Sequence, residues 1–270
     1  MARTTQKMKS SGNKLENSVI GFFDTILTGI PCRSNRGWFG YCSIVLFPLD
    51  GGWALFDTGH YNDRAILREA LNKRGIEPAD IRYVVLSHLH FDHVLNLPLF
   101  KNAEVILCEE EIQYAERVTG GFEEDDAIPD FWPALIDKRK IHVVKDLLKI
   151  GDGLEVVRLP GHTPGCLSLF YTGNPTVALC GDVVKNGWEF VTGGATAQSR
   201  DHDLSRKSTR IIEKRGGVII PGHDRPFIIK NEGLKYLGEF NWEIYGNLFP
   251  RPQNEIIYTM DLKGGFYHLS

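Results

Sequence analysis

Short apolar runs bounded by glycine, proline or acidic residues recur along the chain, at 19–27, 41–49, 53–56, 81–86, 104–108, 141–144, 154–159, 166–171, 176–180 and 218–220. Runs of this length, rich in β-branched, leucine and aromatic residues, predict strands. Asp50-Gly51 between two of them predicts a hairpin, because both turn positions favour positive φ, so the chain opens as antiparallel sheet. Helical spacing appears at 62–74, where Ala65, Ile66, Leu67, Ala70 and Leu71 share a side and Gly75 ends the pattern. Strand, helix, strand then follow in order from 53 to 86, a unit that makes a parallel pair. Further helices are expected at 109–118, whose acidic start suits the helix dipole, and at 200–214, closed by Gly216-Gly217.

Two stretches break this rhythm. Residues 120–140 combine Gly120-Gly121, an acidic run and Phe131-Trp132-Pro133, and read as an inserted loop or short helices. Its aromatics either form a lid over a substrate or pin the loop to the core. Residues 231–270 carry Phe240, Trp242, Tyr245, Phe249 and Tyr258, an exposed patch unless something covers them. They are expected to pack on the main domain, 18–230, or on a partner subunit, the second case giving a homodimer. Residues 1–17 are polar and read as a flexible tail.

Composition narrows the class. A chain of 270 residues that is 42% hydrophobic and 24% charged can bury one large α/β core, with no second full domain required. A formal charge of −3 provides no basic field for sequence-independent nucleic-acid binding, so nucleic acid is not an expected partner. No apolar run reaches membrane-spanning length, and the N-terminus lacks the apolar core of a signal peptide. Five cysteines without a CxxC spacing argue against a disulfide framework and fit a reducing compartment; a cytoplasmic protein is expected.

The chemistry concentrates at strand ends. Ser87-His88-Leu89-His90-Phe91-Asp92-His93 directly follows the 81–86 run, and neutral imidazoles with a carboxylate are the donors that zinc and similar ions prefer. His88 and His90 fall on one side of an extended segment, while Asp92 and His93 come where the chain turns away, so two ions can share the loop. Gly161-His162, held between prolines, suits a third ligand beside His88 and His90. Asp92, His93 and His223 make a second set, and Asp182, after Gly181 at another strand end, is the expected bridge that reduces repulsion between two cations. Asp57 is a candidate to hold a ligating imidazole in one tautomer. His60 is ambiguous and more often an ordinary hydrogen-bonded residue, and His142, His202 and His268 lack any such context.

These blocks together, the HxHxDH loop with Asp57-Thr58-Gly59, Gly161-His162, Gly181-Asp182 and Pro221-Gly222-His223-Asp224, resemble the metallo-β-lactamase superfamily of metallohydrolases. The resemblance implies a four-layer αβ/βα sandwich of two mixed β-sheets with a binuclear site along one edge. It implies two divalent cations, zinc first with manganese or iron as alternatives. A metal-bound hydroxide would then attack a small-molecule ester or lactone such as an acyl-homoserine lactone, with Asp92 receiving or relaying a proton. His90 stands where iron-binding redox members carry glutamate, which favours hydrolysis. Lactonases of this group often place a tyrosine three residues after the bridging aspartate, where this chain has Lys185. Lys185 or Asn186 could instead polarise a carbonyl or hold an anionic group, against the commoner fate of a lysine on a solvated loop. The alternatives are a thioester hydrolase of glyoxalase II type, weakened by the lack of an evident basic helical domain, and a phosphodiesterase or nuclease using the same two ions.

Overall fold

Each of the central strands alternates its side chains between two buried faces, which is why its sequence reads as an unbroken apolar run. Val45, Phe56, Val85 and Ile106 point to one side, whereas Ile44, Leu46, Leu55, Val84, Val105 and Leu107 point to the other. The computed structural model describes residues 19–193, 198–230, 233–246, 256–262 and 266–267. Among these, one sheet of seven strands runs from Val19–Ile20 through Phe23–Leu27, Ile44–Leu49, Gly52–Phe56, Ile81–Val85 and Glu104–Cys108 to Ile141–Val144. Its first four strands are antiparallel, and it is parallel from Gly52–Phe56 onward.

A second sheet of eight described strands starts at Leu147–Gly151 and continues through Leu154–Arg158, Leu167–Tyr171, Val177–Leu179 and Val218–Ile220. It extends into Phe227–Lys230, Gly233–Tyr236 and Phe266–Tyr267; Val177–Leu179 and Val218–Ile220 run parallel and the other pairs antiparallel. Side chains of both sheets, among them Phe47, Phe56, Ile106, Val156, Leu169 and Ile220, meet in one shared core.

Helices close the two outer faces. On the first sheet lie α1 (Arg64–Asn72), α2 (Phe91–Val94), α3 (Glu109–Thr119) and α4 (Trp132–Ile136), which bury Leu67, Val94, Tyr114 and Trp132. On the second lie α5 (Gly187–Val191) and α6 (His202–Arg215), which bury Phe190 and Ile212. The four-layer αβ/βα arrangement is therefore present. No described helix is long and apolar enough to cross a membrane.

The two irregular stretches are described in part. Within 120–140, Trp132 enters the core while Phe131 stays exposed, so one aromatic of the pair anchors the insertion. Beyond residue 231, the backbone of Gly233–Tyr236 and Phe266–Tyr267 continues the second sheet, and Phe240–Gly246 pairs with Ile256–Leu262 as a hairpin. Trp242 meets Phe39 with ring centroids 5.1 Å apart. The expected tail at 1–17, together with Phe249 and His268, lies outside the described residues.

Candidate metal centre

The Ile81–Val85 strand gives way to an extended stretch that ends at His90, which is the N-cap of α2, so the first helical turn presents Asp92 and His93. Asp57 ends the neighbouring strand in the left-handed region, at φ 60°, a conformation that costs a non-glycine residue roughly 1–3 kcal/mol. That strain is offset by what its carboxylate accepts: the Ser87 backbone N–H at 2.7 Å, the Ser87 hydroxyl at 2.8 Å and His93 Nδ1 at 2.8 Å. Thr58 secures the same loop from its own N–H and hydroxyl, both donating to the His93 carbonyl.

Hydrogen bonds at the far nitrogens set which imidazole nitrogen faces inward. His88 Nδ1 lies 2.9 Å from Ser87 Oγ, His93 Nδ1 is on Asp57, and His223 Nδ1 lies 2.9 Å from the Tyr41 carbonyl, so all three turn Nε2 to the centre. His90 is reversed: its Nε2 is 3.0 Å from Asp125 Oδ2, which leaves Nδ1 facing His162 Nε2 at 3.0 Å. Three buried groups result, His88 with His90 and His162, Asp92 with His93 and His223, and His88 with His93 and Asp182. Within each group the potential ligand atoms all lie within 4.8 Å of one another.

Asp182 joins the first two groups through its two oxygens. Oδ1 is 3.2 Å from both His93 Nε2 and His223 Nε2, and Oδ2 is 3.3 Å from His162 Nε2. Gly222 allows this approach, since a Cβ there would stand 2.4 Å from Asp182 Oδ1. His88 Nε2, His93 Nε2 and Asp182 Oδ1 are buried and have no hydrogen-bond partner. Orphaned polar atoms of this kind are costly unless a cation takes them, and five nitrogens with two carboxylates form the donor set that divalent metals accept, so the residues fit a pair of ions.

Electrostatics favour the same state at two of the rings, whereas His93, against its burial, is held well above its usual value by Cys42, Asp182, Asp57 and Asp92, a charge that a bound cation would displace. Burial first, and then the neighbouring imidazoles His93, His90 and His162, hold the His88 pKa well below its usual value. Burial and then Lys185 do the same for His162, so both rings are neutral with free lone pairs at pH 7. Against its burial, His223, Lys185 and His93 keep the Asp182 carboxyl well below the carboxylate range. Cys42 also lies near Asp57 and His93, but burial pushes its thiol up to about 12, so it is a neutral packed group.

The centre forms the floor of a cavity of about 540 Å³. Lys185 and Asn186 both line it, as do Trp38, Asp125, Gln198 and Arg200. The alternative of a lysine on a solvated loop does not hold. Lys185 is buried, its Nζ 3.2 Å from Asp182 Oδ2, hydrogen-bonded to Gln198 Oε1 and 5.7 Å from the Trp38 ring centroid, because that set of partners replaces water. Asn186 Oδ1 is committed to capping α5 through the Glu189 N–H at 2.9 Å. His60 is outside the ligand groups, its Nδ1 accepting from the Asn62 N–H.

Asp125 is a supporting residue of the site that the sequence reading passes over. It arrives from the 120–140 insertion, receives the Tyr114 hydroxyl at 2.6 Å and the Ala127 N–H at 3.1 Å, and orients His90. Burial opposes its ionisation, yet the bonds from His90, Tyr114 and Ala127 bring its carboxyl below the usual range. The only signal in the sequence is an acidic run, which does not say which of its members turns inward.

Comparison with known proteins bears on this geometry. A family model described as the metallo-beta-lactamase superfamily matches residues 36–223. Metallo-beta-lactamase domain-containing protein 1 of Xenopus laevis is 31% identical over 201 residues, covering 72% of this chain and 74% of that protein. An N-acyl homoserine lactonase of Azorhizobium caulinodans is 33% identical over 162 residues, 56% of this chain and 60% of its own. The solved structure of AidC, a dizinc quorum-quenching lactonase with a bound product, superposes with a TM-score of 0.59 at 19% identity, covering 73% of this chain and 78% of that one; at that identity the likeness concerns the fold.

Proposed function

The chain belongs to the metallo-beta-lactamase superfamily, and from that premise we propose that it is a binuclear metal-dependent hydrolase that opens a small-molecule ester or lactone. The observation that carries the reading is Asp182, one oxygen turned to each of two three-residue ligand groups at the floor of a cavity. His88, His90 and His162 would hold one ion and Asp92, His93 and His223 the other, with Asp182 between them. The five imidazoles favour zinc, with manganese and iron as alternatives. When bound, two such cations supply Lewis acidity and bring the pKa of water toward neutrality.

The chain's own groups do the rest. Asp92 lines the cavity with Oδ2 3.4 Å from His223 Nε2, and a carboxylate so placed can accept the proton that water gives up and return it to the leaving oxygen. Lys185 is the cationic donor in the wall beside Asp182, suited to a carbonyl oxygen as negative charge develops on it. The lactone assignment leans further on relatives that carry the name N-acyl homoserine lactonase.

The test is a substrate panel. Chelator-stripped protein, reloaded in parallel with zinc, manganese or iron(II), is offered an acyl-homoserine lactone, an aryl ester, a thioester, a phosphodiester and a cephalosporin. Lactone or ester turnover that rises to two equivalents of metal and vanishes with chelator is expected. Cleavage of the phosphodiester or the thioester alone overturns the substrate class.

A further inference from the structure

We propose that Glu111 is a positioning residue for the three-histidine group, bracing from behind the two loops that carry His88, His90 and His162. The inference rests on reading these three histidines as one ligand set and is independent of the substrate.

Glu111 lies in the first turn of α3 and is fully buried. Its Oε1 accepts the Leu89 N–H at 3.0 Å, and Leu89 stands between His88 and His90 in the chain. Its Oε2 accepts the Thr163 hydroxyl at 2.6 Å and the Gly165 N–H at 3.1 Å, and Thr163 directly follows His162. One carboxylate thus spans two loops separated by more than seventy residues, at the point where His90 Nδ1 and His162 Nε2 come within 3.0 Å. The packing around it is close: a Cβ on Gly165 would stand 2.2 Å from the Glu111 backbone nitrogen, so only glycine lets the second loop reach it.

A buried carboxylate is costly, and nothing in packing alone calls for one at this position. Its placement is explained by tolerance. Ligands must be held within about 0.5 Å of their working geometry, and loops reach that precision only when another group fixes them. Asp57 does this for His93 and, through Ser87, for His88. Glu111 supplies the corresponding brace on the other side, where His162 has no hydrogen-bond partner at Nδ1 to orient it. The length of the Glu111 side chain then matters as well as its charge, because the carboxylate must touch both loops at once.

The experiment compares Glu111→Gln and Glu111→Asp with the parent protein by cobalt(II) titration of chelator-stripped samples, following the visible d–d bands and bound metal directly. Asp92→Asn, which disables the second group, identifies the bands of the three-histidine group. The amide of Glu111→Gln sets a donor against the N–H of Gly165 in one orientation and of Leu89 in the other, and Glu111→Asp falls short of one loop. Both are expected to fold, by near-ultraviolet circular dichroism, and to weaken cobalt at the three-histidine group on the order of tenfold, with the second group changed less than about threefold. Parent-like affinity and bands in both variants overturn the proposal, as does equal weakening of both groups. Loss of the folded signature in both variants overturns it too, since Glu111 would then serve the fold at large. None of these readouts involves a substrate, so a failure of the lactone assignment leaves them unaffected.

Discussion

Replacing Glu189 by glutamine tests whether the electrostatics of the cavity wall are understood. Glu189 lies in the first turn of α5 with 8% of its surface exposed, and its Oε1 has no hydrogen-bond partner. Burial, opposed by Lys185 and reinforced by Asp182, raises its pKa from the ordinary 4.5 to about 7. An acid raised in this way holds its proton longer in the folded chain than in the unfolded one. Its contribution to stability is therefore fully present below about 4.5 and is lost as pH rises through about 7. At ~1.4 kcal/mol per pH unit the loss amounts to roughly 3 kcal/mol. The glutamine variant does not titrate, so its stability relative to the parent should climb by about that much between pH 4.5 and 8. Urea denaturation of the chelator-stripped proteins across that range measures the difference, and groups remote from Glu189, such as the likewise raised Asp63, cancel between the two curves. Parallel curves would refute the reasoning, because they would mean that Glu189 is as well solvated in the fold as in the unfolded chain.

Asp125→Ala removes the acceptor of both His90 Nε2 and the buried Tyr114 hydroxyl, and two orphaned donors should cost about 2–4 kcal/mol in urea melts. The same variant should lose metal on dialysis at a chelator concentration about 10 to 100 times lower than the parent, and unchanged metal content would contradict the role given to Asp125. Lys185→Met keeps the aliphatic stem beside Trp38 but deletes the charge 3.2 Å from Asp182, so kcat/KM should fall by roughly tenfold or more with two metals still bound. Parent-like turnover by that variant would remove Lys185 from the reaction.

What the sequence reveals and what it hides divide along a physical line. The ligands are legible because each follows an apolar strand and adjoins a turn or a glycine: His88 to His93 after Ile81–Val85, Asp182 after Gly181, His223 after Gly222. A strand end is a local property, so local pattern finds it, and the central strands announce themselves because both of their faces are buried. Asp57 belongs to this legible class, since it too closes a strand. The other supporting groups act across long separations and leave no local mark. Glu111 is indistinguishable in sequence from the acidic residues that any helix start favours, yet it alone of Glu109, Glu110 and Glu111 is fully buried. Lys185 looks like a solvated loop lysine because its partners come from elsewhere, Trp38 from the hairpin of Arg33–Ser34 and Gly37–Trp38 and Gln198 from the approach to α6. Asp125 lies 35 residues from His90 in the chain and meets it only in the fold, where Trp132 of the same insertion sits in the core. The site is therefore written twice: donors and the Asp57 brace at strand ends, where spacing shows them, and the Glu111 and Asp125 braces at a helix start and in an insertion, where only the closed fold reveals which carboxylates turn inward.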